Sequence, residues 1–283
     1  MKMKKKVNWE NDIRLFGEYL RERENSAATI EKYLRDVRTF REYLEDREIL
    51  DKNCLLQYKE WLSANYSVSS VNSMLVALNQ FLVFLEAGSM KVRRVKVQPQ
   101  RFRAAEKELG KTEFRRLVAR ARSDGKLQLV MIMETIAATG IRISELKFFR
   151  AKDVRRGMVR VYNKGKYRIV LIPEKMRKKL LIYMAETGIK DGPVFCTRTG
   201  KAKDRSNIWK EMKKTARAAS VDAVKVFPHN LRHLFARIFY KTTGNLIHLA
   251  DLLGHNSLEV TRIYTNDGME EWRRSLEKME LID

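Results

Sequence analysis

Over the first 88 residues the apolar positions recur at three and four, as one face of a helix requires. They run Ile13, Phe16, Leu20; then Ile30, Tyr33, Val37, Phe40, Leu44; then Leu55, Tyr58, Leu62; then Val71, Leu75, Leu78, Leu82, Leu85. Four amphipathic helices are predicted. Ser26, Asp51 and Ser67 or Ser69 are residues that start helices by accepting backbone N–H bonds, Gly88 is a stop, and proline is absent from all four segments.

The pattern changes after residue 105. Thr112–Arg122 and Leu127–Thr139 read as helices, the second ended by Gly140. Met158–Asn163 and Arg168–Ile172 alternate instead and are rich in Val, Ile and Tyr, which predicts a β-hairpin tipped by Lys164, Gly165, Lys166 and Tyr167. Helical spacing returns at 174–187, 204–219 and 230–242 and continues, mostly, to Asp283. The fold class is therefore mainly α with a small β-sheet. Residues 1–88 form a four-helix domain, 89–105 a linker, and 106–283 a second, α+β domain with a C-terminal tail helix.

Charge sharpens this division. The 283 residues carry 58 Lys and Arg against 35 Asp and Glu, a formal net charge of +23, and the partner expected of such a chain is a polyanion. Residues 1–100 hold 18 basic and 14 acidic side chains, leaving 40 and 21 to the rest, so the second domain carries most of the excess. Between them Gly88–Arg103 has six basic residues and no acid, the composition of an extended tether able to follow a phosphate backbone. Cys54 and Cys196 are too few for a disulfide framework and suit a reducing compartment. With no apolar run of membrane-spanning length and no signal-peptide pattern after the Lys-rich start, the expected location is the cytoplasm.

Three short motifs carry candidate chemistry. In Pro228-His229-Asn230-Leu231-Arg232-His233 the proline favours a helix start, and spacing of three puts His229 and Arg232 on one face opposite an apolar stripe of Leu231, Leu234, Phe235 and Ile238. Zinc is not indicated, because Asn230 stands where the HExxH pattern needs glutamate. In Thr139-Gly140-Ile141-Arg142-Ile143-Ser144-Glu145-Leu146 a glycine breaks one helix just before the next, leaving Arg142 at the corner for an anion and Glu145 near enough to pin it. In Leu252-Leu253-Gly254-His255, followed by Thr261-Arg262-Ile263-Tyr264-Thr265, Gly254 ends a short helix, Ser257 caps another, and Tyr264 lies near that second helix's end.

The order TGIRISEL, NKGKYR on a hairpin, HNLRH, LLGH, then TRIYT with its tyrosine nine residues after His255, resembles the tyrosine recombinase family of phage integrases and Xer-type enzymes. The resemblance extends to the first domain, where Ser26, Thr29, Tyr33, Asp36 and Phe40, then Ser70, Asn72, Leu75 and Phe81, have the spacing of the family's SAM-like core-binding domain.

The resemblance implies a site-specific recombinase that cuts and rejoins duplex DNA through a 3′-phosphotyrosyl intermediate and a Holliday junction, without metal, ATP or other cofactor. Tyr264 is then the nucleophile, Arg142 and Arg232 hold the nonbridging phosphate oxygens, His255 adds a hydrogen bond and His229 serves as base or proton shuttle. Lys164 supplies the proton to the leaving 5′-oxygen, with Lys166 the alternative on the same tip; Glu145 and His233 give support. Implied partners are double-stranded DNA bearing a recombination site, three further copies in a tetramer on that DNA, and accessory proteins that set direction, with location at the nucleoid and no membrane. The tail residues Met269, Trp272, Leu276 and Met279 are expected to dock on a neighbouring protomer. The alternatives are a type IB topoisomerase-like enzyme with related chemistry and a DNA-binding regulator whose tyrosine does not react.

Overall fold

The computed structural model describes residues 4–96, 108–163, 165–197, 199–254 and 261. The chain divides into two compact units, Met1–Pro99 and Gln100–Asp283.

In the first unit four helices form where the apolar spacing placed them: α1 (Trp9–Glu22), α2 (Ala27–Tyr43), α3 (Lys52–Asn65) and α4 (Val68–Phe84). Each starts on a side chain that accepts a backbone N–H three residues on, from Asn8, Ser26, Asp51 and Ser67 respectively. Their apolar faces meet in one core where Trp9 and Phe16 pack on Phe81, and Phe40 lies between Trp9 and Tyr58. Helix spacing gave no sign of a two-stranded sheet, yet β1 (Lys4–Lys6) pairs antiparallel with β2 (Ile49–Asp51). Strands of three residues are too short to display alternation.

Gly88 does not stop α4. The left-handed residue there is Glu86, at φ 59°, and Gly88 opens a single 3-10 turn, Gly88–Met90. Nor do the first residues of the expected tether stand away from the helices. Met90 and Val92 are buried in the core, and two asparagines seven apart on α4 hold the backbone that follows. The Asn79 side chain accepts from Val92 N and donates to Val92 O, both at 2.9 Å; Asn72 does the same for Val95 at 2.8 and 3.0 Å. Each amide thus takes the place of a neighbouring strand. Lys91, Arg93, Arg94 and Lys96 are left exposed along this fixed segment. Replacing Asn79 by alanine is expected to speed Val92 amide hydrogen exchange by about tenfold or more, since a lost bond to a buried group is worth roughly 1–3 kcal/mol; an unchanged rate would mean that packing alone holds it.

The second unit is built on α6 (Leu127–Thr139), apolar on nearly every side and packed against α5 (Lys111–Ser123), α8 (Glu174–Glu186), α9 (Arg205–Ala218) and α10 (Pro228–Thr243). Between α6 and α8 come a 3-10 helix (Ile143–Phe148), the short α7 (Ala151–Arg156) and a hairpin of β3 (Met158–Asn163) and β4 (Lys166–Leu171). Gly165 is left-handed at φ 78°, and Lys166 belongs to β4 and pairs with Asn163. Val159, Val161 and Val170 face the core, whereas Met158, Tyr162, Tyr167, Ile169 and Leu171 are exposed. Helix α11 (Leu246–Leu253) is capped by the Asn245 side chain and closes on Gly254, which is left-handed at φ 64°. Of the apolar stripe expected on α10, Leu231 and Leu234 are buried, Phe235 is half-buried, and Ile238 is 40% exposed. No described helix is long and apolar enough to cross a membrane. Cys54 and Cys196 are free thiols.

Candidate active site

Arg142 sits where the sequence put it, between the left-handed Gly140 (φ 65°) that ends α6 and the 3-10 helix that follows. Glu145, 1% exposed, accepts from Arg142 N at 2.8 Å and from its Nη1 at 3.2 Å, while a third of the Arg142 side chain remains open to solvent. The carboxylate therefore fixes both the backbone and the guanidinium of the corner residue.

Arg232 and His229 lie three apart on α10, as expected, but differ in burial. His229 is exposed, but Arg232 is 1% exposed, one turn into α10. Its Nη1 donates to the carbonyl of Gly140 and its Nη2 to the carbonyl of Leu253, both at 2.7 Å. One guanidinium thus ties the turn before Arg142 to the turn before His255. A buried cation is costly unless it is hydrogen-bonded, and the planar fork reaches two helix C-terminal carbonyls at once. His233, also buried, meets the His229 ring edge-on at 4.3 Å.

Sequence reasoning missed Arg168. Its Nη2 donates to Glu145 Oε2 at 2.7 Å and its Nη1 to the Leu252 carbonyl at 2.9 Å, so it joins the hairpin to the corner and to the end of α11. Burial pushes its pKa down and nearby Arg142 adds to this, while Glu145 opposes both. The side chain crosses Gly254 so closely that a Cβ there would lie 2.6 Å from Arg168 Cδ. A signal was available: pairing with Val161 puts Arg168 on the inner face of the hairpin, where a charge needs a partner.

The described residues thus bring together the glycine–arginine corner, the hairpin, α10 and the end of α11. Lys164, His255 and Tyr264, together with the tail at Met269, Trp272, Leu276 and Met279, lie outside the described residues. Thr261 is helical and fully buried.

The profile of the Phage integrase family matches residues 107–271, and that of the phage integrase N-terminal SAM-like domain matches residues 13–88. The chain belongs to the phage integrase family. It is a tyrosine site-specific recombinase. Among its relatives, tyrosine recombinase XerD of Xanthomonas axonopodis pv. citri is 31% identical over 76% of this chain and 78% of its own length. XerA of Thermococcus kodakarensis is 30% identical over 83% and 84%. The fold is also that of a lambda integrase tetramer bound to a Holliday junction (TM-score 0.72, 17% identity, 92% of this chain and 77% of that one). It is shared with a XerH recombinase in a post-cleavage complex on difH substrate (TM-score 0.67, 19% identity, 98% and 90%).

Proposed function

We propose that this recombinase cleaves one strand of a recombination-site duplex with Tyr264 and that Arg142, Arg232, His229, His255 and Lys164 form the site in which the reaction occurs. A phosphodiester resists attack because the nucleophile approaches an anion and charge builds on the nonbridging oxygens. Arg142 offers its guanidinium to those oxygens directly. Arg232 lies beneath as a permanent positive charge, and to bond an oxygen itself it exchanges one of its carbonyl partners for the phosphate.

The Tyr264 oxygen forms the new bond to phosphorus as the bond to the 5′-oxygen breaks. A phenol with an ordinary pKa near 10 must lose its proton to attack, and His229, exposed beside the buried His233, is the base or shuttle that takes it. Lys164 returns a proton to the departing 5′-oxygen, Lys166 being the alternative, and His255 bonds the phosphate. Attack by a 5′-hydroxyl from a second strand reverses each of these transfers and reseals the backbone. Glu145 and Arg168 position Arg142, and His233 supports His229. Exchange between two duplexes takes four copies of the chain on the DNA, and accessory proteins give it direction.

The observation that carries this reading is the pair of hydrogen bonds that Arg232 donates to the carbonyls of Gly140 and Leu253, because they draw motifs more than a hundred residues apart to one corner. Incubating the protein in EDTA with nicked duplexes drawn from the source replicon is expected to trap a covalent DNA adduct that maps by mass spectrometry to the peptide containing Tyr264. An adduct on another residue, or none on any duplex, would overturn it.

A further inference from the structure

Six of the fourteen residues from Lys147 to Arg160 are basic, and the fold sends five of them to one place. Lys147, Arg150, Lys152, Arg156 and Arg160 line a cavity of about 680 Å³ beside Phe148, with Asp153 the one acid on its wall. The sixth, Arg155, points elsewhere and donates to the Lys190 carbonyl.

The wall is rigid. Phe149, Ala151 and Val154 are fully buried between the cations, and the backbone is tied down by bonds from Ala151 N to Gly192 O and from Val194 N to Phe149 O. The left-handed Gly157 ends α7, after which Val159 and Val161 turn inward and Arg160 outward. None of the five makes an ion pair among the described residues. In the same unit Arg120, Lys126, Lys179, Lys203, Lys225 and Arg237 are each paired with a carboxylate. Like charges held together in a concave surface repel one another and focus a positive field outward.

We propose that this cavity is a second phosphate site, which takes the backbone of the bound duplex away from the cleaved linkage. The inference rests on the recombinase reading above. Three of the five cations are arginines, whose forked donors match phosphate oxygens, and the wall adds one aromatic ring, Phe148, and one carboxylate, Asp153. Lys147 lies five residues along the 3-10 helix from Arg142, about 10 Å at roughly 2 Å per residue, or about three base-pair rises of DNA. A phosphate gripped here fixes the register of the duplex over the corner, because backbone contacts set position without reading sequence.

The test is the salt dependence of full-length protein binding to a 30-base-pair mixed-sequence duplex. Lys152 and Arg156 are exposed, so the Lys152→Gln/Arg156→Gln protein keeps its fold. Its slope of log K against log salt is expected to fall by about one to two, at about 0.9 per phosphate contact. A charge-matched Lys175→Gln/Lys178→Gln protein, altered on the exposed side of α8, is expected to keep the wild-type slope. An unchanged slope in the first protein, or an equal fall in both, overturns the proposal, as does a loss confined to binding of poly-glutamate, which would mark a site for acidic protein. Wild-type adduct formation is read in parallel: its absence sinks the proposed Tyr264 cleavage site, whereas an adduct with an unchanged slope sinks only the second phosphate site.

Discussion

Glu145→Ala is expected to lower the melting temperature by about 6 to 20 °C and to reduce strand cleavage at least a hundredfold. The carboxylate is buried and bonded to Arg142 N, Arg142 Nη1 and Arg168 Nη2. Its removal leaves two guanidiniums facing each other with no counter-charge between them, and breaking a buried pair in this way costs about 3–5 kcal/mol. For a unit of this size each kcal/mol is worth roughly 2–4 °C. With Arg142 in its proposed role, cleavage is expected to fall because the guanidinium loses the bond that aims it, and one misplaced donor to a developing oxyanion costs about 10²–10³ in rate. Glu145→Gln keeps an acceptor without the charge and is expected to melt between the two. Circular dichroism melts and trapping on nicked duplexes measure both effects. A Glu145→Ala protein melting within a degree of wild type would mean that the carboxylate holds nothing together.

Gly140→Ala is the second large effect. At φ 65° any side chain is strained by about 1–2 kcal/mol. The added Cβ would also lie 2.4 Å from Phe235 Cδ1 and 3.0 Å from Leu253 Cδ2. Overpacking of this kind costs about 1–3 kcal/mol, so the expected loss is about 2–5 kcal/mol by urea unfolding. The two contributions separate in a double-mutant cycle with Phe235→Leu: the clash is relieved and the backbone strain remains, giving a favourable coupling of about 1–2 kcal/mol. Strict additivity would show that Phe235 is not what the methyl meets. Because the Gly140 carbonyl also holds Arg232, the backbone shift is felt at the corner as well.

Much of this was legible in the chain. Helix periods placed α6 at its observed bounds, and Pro228, Asp51 and Ser26 marked starts that the structure keeps, because those signals are local. What escaped depends on contacts far apart in sequence. Strand β1 exists only because Ile49–Asp51 lies beside it. Glu86, not Gly88, takes the left-handed turn, and no preference of glutamate foretells that. Helical spacing put Arg232 on one face with His229, but it does not reveal that the Gly140 and Leu253 turns reach Arg232 and leave it buried. Arg168 shows the same blindness in a strand. Its inward position follows from hairpin register, but its partners at 145 and 252 do not.

Arg232 reaches back 92 residues to Gly140 and forward 21 to Leu253. A ribosome delivers the chain from its amino end, and domains fold as they emerge. Until α11 has left the exit tunnel the guanidinium has only one of these two carbonyl partners. A nascent polypeptide that stops short of α11 therefore already carries the basic surface of the earlier elements while its Arg232 lacks the Leu253 carbonyl.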